Sequence, residues 1–459
     1  MLKKIFLILA STAVLLGINS CSTHKQQNVV YNTTRYRSDI WAGSPQEVWT
    51  DVQQLSSKKL FALQKSNINN QDKLGWIKLA LIAKTNSNST NNLVRQILAW
   101  REQYPTHPGN KVLPDNRTLN LLLNQHLPQN IAVLLPQTGR YASAARSVRQ
   151  GILNAYYDNT DKSSQRIKFY DTNTTPPAIA YQQAITNGAD FVIGPLTKDQ
   201  VDAVRKTSIK RTMLALNYTK PGYFGLPENF YEFGLKPEDE ATQVAKRARR
   251  NGLSRAIVIA PDNKWGKRLT AAFLSTWKSA GGSITDSLYY NKNIQFTDAI
   301  PKLLKIDVAA DKKLTREEKN KYVLTKQRRH DFDVIFLFAK PAEARDIVPL
   351  LRYYYIGEVP IYATSAVHDS NQNASRNVDL GGVIVCDIPA NSRGGRINNG
   401  APSKRLYAVG RDAYTISQNL ERLAVMPSFP VYGSTGALVM SPSQQIYRRI
   451  PCTPVRNIT

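Results

Sequence analysis

The chain has 459 residues, in which 61 lysines and arginines face 34 aspartates and glutamates, giving a formal net charge of +27. Hydrophobic residues make up 42%, which is enough to bury real cores and excludes a wholly disordered chain. The length favours two to four domains. So basic a composition favours an anionic partner, of which nucleic acid is the commonest.

The first residues predict export from the cytoplasm. Lys3 and Lys4 precede an apolar stretch over residues 5–18. That stretch is too short for a bilayer core, which needs roughly 20 apolar residues, but it suits a signal peptide. The segment from Ile18 to Cys21 follows and is typical of a lipobox, in which Cys21 would carry the lipid and begin the mature protein. A plain signal peptide followed by a chance cysteine is the alternative.

These features predict a signal peptide over residues 1–20 and a flexible, polar tether over residues 21–42. Ser22, rather than aspartate, follows the cysteine and favours the periplasmic face of the outer membrane. Export argues against nucleic acid as the partner. The anionic partners that remain are membrane surfaces, cell-wall polymers and acidic protein faces.

A small helical domain is predicted over residues 43–128. Ser44, Pro45 and Glu47 form a strong helix start, with a serine cap, proline at the first position and a capping-box glutamate. Apolar residues at helical spacing predict amphipathic helices over residues 45–64, 71–84 and 91–104 and a short helix over 115–126. The arrangement is similar to tetratricopeptide repeats, although no 34-residue period is evident.

The pattern changes at Ile131, where residues 131–136 form a continuous apolar run typical of a buried parallel strand. Strands and helices then alternate through two series, which predicts two α/β lobes over residues 129–459. Predicted strands cover residues 131–136, 167–170, 191–194, 213–216, 256–260, 283–290, 334–338, 361–364 and 382–387. Predicted helices cover residues 144–157, 177–187, 198–206, 238–250, 265–280, 297–304, 341–355 and 405–423.

Motifs of known chemistry are missing from the sequence, which predicts a non-enzyme without a cofactor. The five histidines are scattered, with no pair at metal-ligand spacing. Ser56 and Lys59 have the spacing of a penicillin-binding nucleophile, but they fall in a predicted helix and lack the partner motifs. Cys386 and Cys452 either form a disulfide, as an oxidising compartment allows, or remain buried thiols.

Several motifs in order resemble the penicillin-binding protein activator LpoA family of outer-membrane lipoproteins. They are Leu98–Arg101 with Tyr104–Pro108, Ile131–Arg140, Phe191–Leu196, Arg328–Asp333, Pro349–Leu351, Pro360–Ser365 and Gly433–Gly436 with Arg448 and Arg449. The resemblance implies a bilobed, periplasmic-binding-protein-like (type I) domain preceded by a small all-α, tetratricopeptide-like helical domain. The helical domain of the family is usually larger than the segment 43–128.

The resemblance implies a lipoprotein that binds a class A penicillin-binding protein and stimulates its peptidoglycan cross-linking. The alternative is a lipid-anchored solute-binding receptor of an ABC transporter, because the same fold serves both. Heavy basic charge and the attached helical domain favour the activator.

A receptor would hold its ligand at the carboxyl ends of the strands. The candidate cleft residues there are Gln137, Thr138, Asn217, Tyr218, Asp262 and Ser365. Each is equally an ordinary cap or turn residue, and no ligand is identified.

Partner docking is predicted on a charged insertion, residues 305–330, which holds nine Lys and Arg against four Asp and Glu. Its candidate docking residues are Lys312, Lys313, Arg316, Lys319, Arg328 and Arg329. A basic helix face with Lys246, Arg247 and Arg250 is a second candidate. A solvated surface insertion is the alternative interpretation.

Overall fold

The structure, a computed structural model, describes residues 40–87, 89–159, 165–220, 225–307, 313, 315, 318, 329–354, 359–368, 378–389 and 403–455. The predicted signal peptide, nearly all of the tether and most of the charged insertion lie outside these residues. None of the described helices has the length and apolar character that crossing a membrane requires.

Five helices form the first part of the described chain: α1 (Pro45–Gln53), α2 (Ser57–Ser66), α3 (Gln71–Thr85), α4 (Thr90–Gln103) and α5 (Asn116–Leu123). The capping box is present, since the Ser44 side chain accepts from the Glu47 amide while the Glu47 carboxylate accepts from the Ser44 amide. One prediction was wrong, because the expected helix 45–64 is two helices. Ser56 adopts an extended backbone and caps α2 by accepting from the Lys59 amide, which starts a new helix.

The remaining elements alternate as the sequence predicts. The helices are α6 (Ala142–Asp158), α7 (Pro177–Thr186), α8 (Lys198–Arg205), α9 (Pro237–Arg250), α10 (Lys264–Ser279), α11 (Phe296–Leu303), α12 (Pro341–Tyr353), α13 (Lys404–Ser417) and α14 (Leu420–Val425). The strands are β1 (Asn130–Leu135), β2 (Arg166–Asp171), β3 (Phe191–Ile193), β4 (Thr212–Ala215), β5 (Phe230–Phe233), β6 (Arg255–Pro261), β7 (Ser283–Tyr290), β8 (Val334–Leu337), β9 (Ile361–Thr364), β10 (Ile384–Cys386), β11 (Val431–Tyr432), β12 (Ala437–Met440), β13 (Gln445–Arg449) and β14 (Cys452–Pro454).

The first lobe is built on a sheet that, among the described residues, has the order β11-β12-β13-β5-β4-β3-β1-β2. The strands from β13 to β2 pair in parallel, whereas β11, β12 and β13 pair antiparallel. The sequence missed β5 and the three late strands. These strands are short and carry little local signal. Strand β13 pairs with β5, which is distant in sequence, and β12 and β11 then add to β13 at the edge of the sheet.

The second lobe has the described strand order β14-β10-β9-β8-β6-β7. Its core strands are parallel, and β14, which the sequence also missed, pairs antiparallel with β10. Strands such as β8 are fully buried, as their unbroken apolar sequence predicts.

The chain passes between the lobes three times: from β5 to α9, from β10 to α13, and from β13 to β14. Helix α13 belongs to the first lobe, where it packs closely on α6. A Cβ on Gly151 would lie 2.0 Å from the Tyr407 carbonyl, and one on Gly410 would lie 2.0 Å from the Val148 carbonyl. Both positions therefore require glycine. The bilobed α/β prediction with a helical domain in front is confirmed.

The predicted helix 405–423 is also two helices, because the backbone leaves the helical conformation at Asn419. The Asn419 amide group donates to the Thr415 carbonyl, and its oxygen accepts from Thr90 of the helical domain at 3.1 Å. The break therefore coincides with a contact between the helical domain and the first lobe.

The helical domain shares a core with the segment that follows α14. Phe429 packs on Trp49 with ring centroids 4.8 Å apart, and the Trp49 indole donates to the Ser428 carbonyl. Arg422 is fully buried and donates to the Ser87 carbonyl at 2.8 Å. Burial lowers the pKa of Arg422 to about 10. The helical domain is thus packed against the first lobe over an apolar interface with a buried polar contact.

Candidate ligand cleft and docking surface

Gln137 and Thr138 lie after β1, where Asp171 at the end of β2 organises both. The Asp171 carboxylate accepts from the Gln137 amide at 2.9 Å, the Thr138 hydroxyl at 2.8 Å and the Asn173 amide at 2.9 Å. Burial opposes ionisation, but these hydrogen bonds prevail and lower the pKa of Asp171. Gln137 and Thr138 therefore donate hydrogen bonds to a carboxylate of the protein itself.

Asn217 and Tyr218 follow β4 and are also engaged internally. The Asn217 amide donates to the Leu196 carbonyl at 3.0 Å, while its oxygen accepts from the Tyr218 amide. Tyr218 is only 8% exposed, and its hydroxyl lies 3.3 Å from the Ile446 carbonyl. Burial raises the pKa of Tyr218. These contacts join β4 to β13 and fit a packing role.

Asp262 follows β6 in the second lobe and forms an ion pair of 2.8 Å with Lys267. It also lines a cavity of about 900 Å³. All of the residues lining this cavity, from Pro261 to Leu350, belong to the second lobe. The pocket therefore lies within one lobe rather than between two.

Ser365, just after β9, belongs to a largely buried group of polar side chains that we name the ion cluster: Glu240, Ser365, Asp387 and Arg405. Its hydroxyl and amide donate to the Glu240 carboxylate, at 2.6 and 3.0 Å. The Arg405 guanidinium binds Glu240 and Ser365 and lies 2.9 Å from Asp387. Burial disfavours the charge of Arg405, but the two carboxylates outweigh burial and raise its pKa.

The ion cluster connects the lobes, since Arg405 lies in the first turn of α13 and the two carboxylates lie on second-lobe elements. The sequence missed Glu240 and Arg405. The local signal that could have placed Arg405 in a first helical turn is Ser403, which caps α13 by accepting from the Leu406 amide. The six predicted cleft residues lie at strand ends of two sheets. Their side chains do not converge on one point, because they contact four separate groups of protein atoms: those around Asp171, the Leu196 carbonyl, Lys267 and Glu240.

The candidate docking residues differ in their exposure to solvent. The prediction for Arg329 was wrong, because its side chain is 4% exposed and forms ion pairs with Asp286 at 2.8 Å and Asp331 at 2.7 Å. It fixes the exit of the charged insertion to β7. Lys313 is exposed, whereas Lys312, Arg316, Lys319 and Arg328 lie outside the described residues.

On the second candidate face, Lys246 and Arg250 are exposed and Arg247 is half-buried. Arg250 donates to Gln54 of the helical domain and to the Lys246 carbonyl. The basic end of α9 therefore lies beside the helical domain.

The late glycine-serine-threonine motif also has a structural role that the sequence did not reveal. Asp412 of α13 is 1% exposed, and its carboxylate accepts from the Ser434 amide, the Thr435 amide and the Thr435 hydroxyl at 2.5–2.7 Å. Gly433 packs against the same carboxylate, where a Cβ would come within 2.5 Å. Burial raises the pKa of Asp412 to about 6, against these hydrogen bonds.

Cys386 and Cys452 are directly paired in the β10–β14 ladder and are joined by a disulfide. The bond closes 66 residues of chain and attaches β14 to the second lobe just after the third crossing. The tail is thus held where the β13–β14 connection passes between lobes.

Two lobes with mainly parallel sheets, three crossings and an added helical domain define a periplasmic-binding-protein-like (type I) protein. The chain belongs to the family described as "LppC putative lipoprotein", whose model matches residues 36–455. This confirms the resemblance noted in the sequence.

One relative is the penicillin-binding protein activator LpoA of Photobacterium profundum, 28% identical over 95% of this chain and 73% of its own length. Among solved structures, Haemophilus influenzae LpoA is 22% identical, covers 90% of this chain and 72% of its own, and has a TM-score of 0.56. A "putative branched-chain amino acid ABC transporter" of Chromobacterium violaceum has 24% identity, coverage of 71% and 99%, and a TM-score of 0.55. The two structures show the fold alone.

Proposed function

We propose that this chain is an activator of a class A penicillin-binding protein: it binds the synthase and stimulates its peptidoglycan cross-linking. The observation that carries the proposal is the family match over residues 36–455, together with a relative that is named as a penicillin-binding protein activator. No catalytic chemistry is needed for this role, and we propose a non-enzymatic regulator.

The anchoring proposal completes the role. Cys21 carries the lipid, and the body lies on the periplasmic face of the outer membrane. The lipobox pattern from Ile18 to Cys21 and the lipoprotein family support it. Several acyl chains would make such an anchor stable, whereas a single chain binds a membrane only marginally.

The state of the strand ends favours an activator over a solute receptor. A receptor needs free polar groups that converge on one ligand. Here Ser365 is bound to Glu240 and Arg405, and Asn217 is bound to the Leu196 carbonyl. The likeness to a transporter component concerns the fold, which does not by itself decide function.

We propose that the docking surface is basic and meets an acidic face of the synthase. The charged insertion supplies Lys312, Lys313, Arg316, Lys319 and Arg328. Contacts of this kind speed association and are screened by salt. Arg329 is excluded from this set because its guanidinium is committed to Asp286 and Asp331. Activation requires that the protein bind the active form of the synthase better than the inactive form.

The test is a reconstituted reaction that contains the full-length chain, the cognate synthase and lipid II. We expect a rise in cross-linking and a complex that weakens with salt. If no complex forms at low salt and cross-linking does not rise, the proposed function is refuted.

Charge reversal then tests the surface. Changing Lys312, Lys313, Arg316 and Lys319 together to glutamate should weaken the complex at least tenfold at low salt, as expected for several rim charges. The matched control reverses the same number of exposed charges on the first lobe, at Lys198, Lys206, Lys210 and Arg211. Equal losses in both variants would show a nonspecific charge effect and refute the proposed surface, while leaving the function standing.

A further inference from the structure

The second lobe contains a cavity to which the proposed function assigns no role. It opens between the carboxyl ends of β6 and β7 and the helices α11 and α12, with a volume of about 900 Å³. This volume lies within the range of small-molecule sites.

One wall of the cavity is apolar and aromatic. The rings of Tyr290 and Phe296 pack edge to face, with their centroids 5.2 Å apart. Ile294 and Leu350 also line the cavity. The Tyr290 hydroxyl lies 3.3 Å from the Phe338 carbonyl, so this polar end is engaged. The wall therefore suits an apolar or aromatic body.

The lining also carries three carboxylates, in contrast to the strongly basic chain. Glu343, Asp346 and Asp262 line the cavity, and the lining contains a single cation, Lys292. Asp262 is matched by Lys267, but one oxygen of Glu343 is buried and has no hydrogen-bond partner among the described residues. A buried carboxylate oxygen without a donor is unfavourable, and a bound cation with N–H groups relieves it.

We propose that this pocket binds a small organic cation, a primary alkylammonium group on an apolar body, with Glu343 as its charge partner. An ammonium group supplies three donors and a full positive charge. Aromatic rings such as those of Tyr290 and Phe296 attract the cation as well as the apolar body. The site lies within one lobe and shares no lining residue with the proposed docking surface.

The test compares two probes of the same shape, 2-phenylethylamine and 2-phenylethanol. Full-length protein in lipid nanodiscs is titrated with each, and binding is followed by ligand-observed NMR. We expect the amine to bind at least about tenfold more tightly than the alcohol, as a charge-assisted hydrogen bond predicts. Equal affinities, or no binding of the amine, would overturn the proposal.

Variants assign the preference to its source. Glu343→Gln should abolish the preference for the amine, whereas Asp298→Asn, which removes an exposed carboxylate of α11 outside the lining, should keep it. Phe296→Ala should weaken both probes together. An amine preference that survives in folded Glu343→Gln refutes Glu343 as the charge partner. If that variant does not fold, the wild-type probe pair and Phe296→Ala still decide.

Discussion

Replacing Arg405 by methionine tests whether the ion cluster holds the lobes together. The Glu240 and Asp387 side chains are 5% and 6% exposed, so removing the cation leaves two carboxylates buried near each other. Some donors remain, since Glu240 keeps the Ser365 amide and Asp387 keeps the Ile388 amide. Breaking a buried pair in this way costs about 3–5 kcal/mol. We expect the lower end, about 3 kcal/mol, because Arg405 itself is 29% exposed and water can reach the site.

The matched control is Arg411→Met in the same helix. Arg411 is 30% exposed, nearly the same as Arg405, but its partner Asp158 is 65% exposed. An ion pair of that kind contributes at most about 1 kcal/mol.

Urea unfolding followed by tryptophan fluorescence measures both variants, because the tryptophans are distributed between the helical domain and the second lobe. The midpoint for Arg405→Met should fall well below that for Arg411→Met, and the transition should broaden or divide as the lobes unfold separately. Equal midpoints for the two variants would refute the idea that this cluster couples the lobes.

Three further predictions concern the anchor, the disulfide and a buried acid. Cys21→Ser should release the protein from outer membranes in high salt, and unchanged partitioning on fractionation would rule out lipid as the anchor. Mass spectrometry after alkylation without reduction should find Cys386 and Cys452 unmodified, and their double alanine variant should lose about 4 kcal/mol for a loop of 66 residues; two alkylated thiols would contradict this. The pKa of Asp412, about 6 when folded, exceeds its unfolded value, so its contribution to stability is present at pH 4 and lost as pH rises through 6. The cost of Asp412→Asn should therefore be roughly 2 kcal/mol larger at pH 4 than at pH 7 in urea titrations, and a cost independent of pH would contradict the raised pKa.

The features that depend on neighbouring residues, such as helix starts and buried strands, could be predicted from the sequence. The capping box at Ser44 and Glu47 fixed the first helix start. The unbroken apolar runs, such as the one in β8, predicted buried parallel strands because both faces of such strands are covered. From this alternation the two-lobed α/β class followed, and the motif order gave the family.

The tertiary structure alone decided the late strands and the polar sites. Strand β13 pairs with β5, more than two hundred positions earlier, and a strand of so few residues carries no local signal of its partner. The roles of Ser365 and Arg329 likewise depend on carboxylates that reach them only in the folded chain: Glu240 lies 125 positions from Ser365, and Asp286 lies 43 from Arg329. Their residue types indicate that Ser365 and Arg329 need polar partners. Whether the partner is a ligand, another protein or the chain itself depends on which groups the folded chain brings next to them.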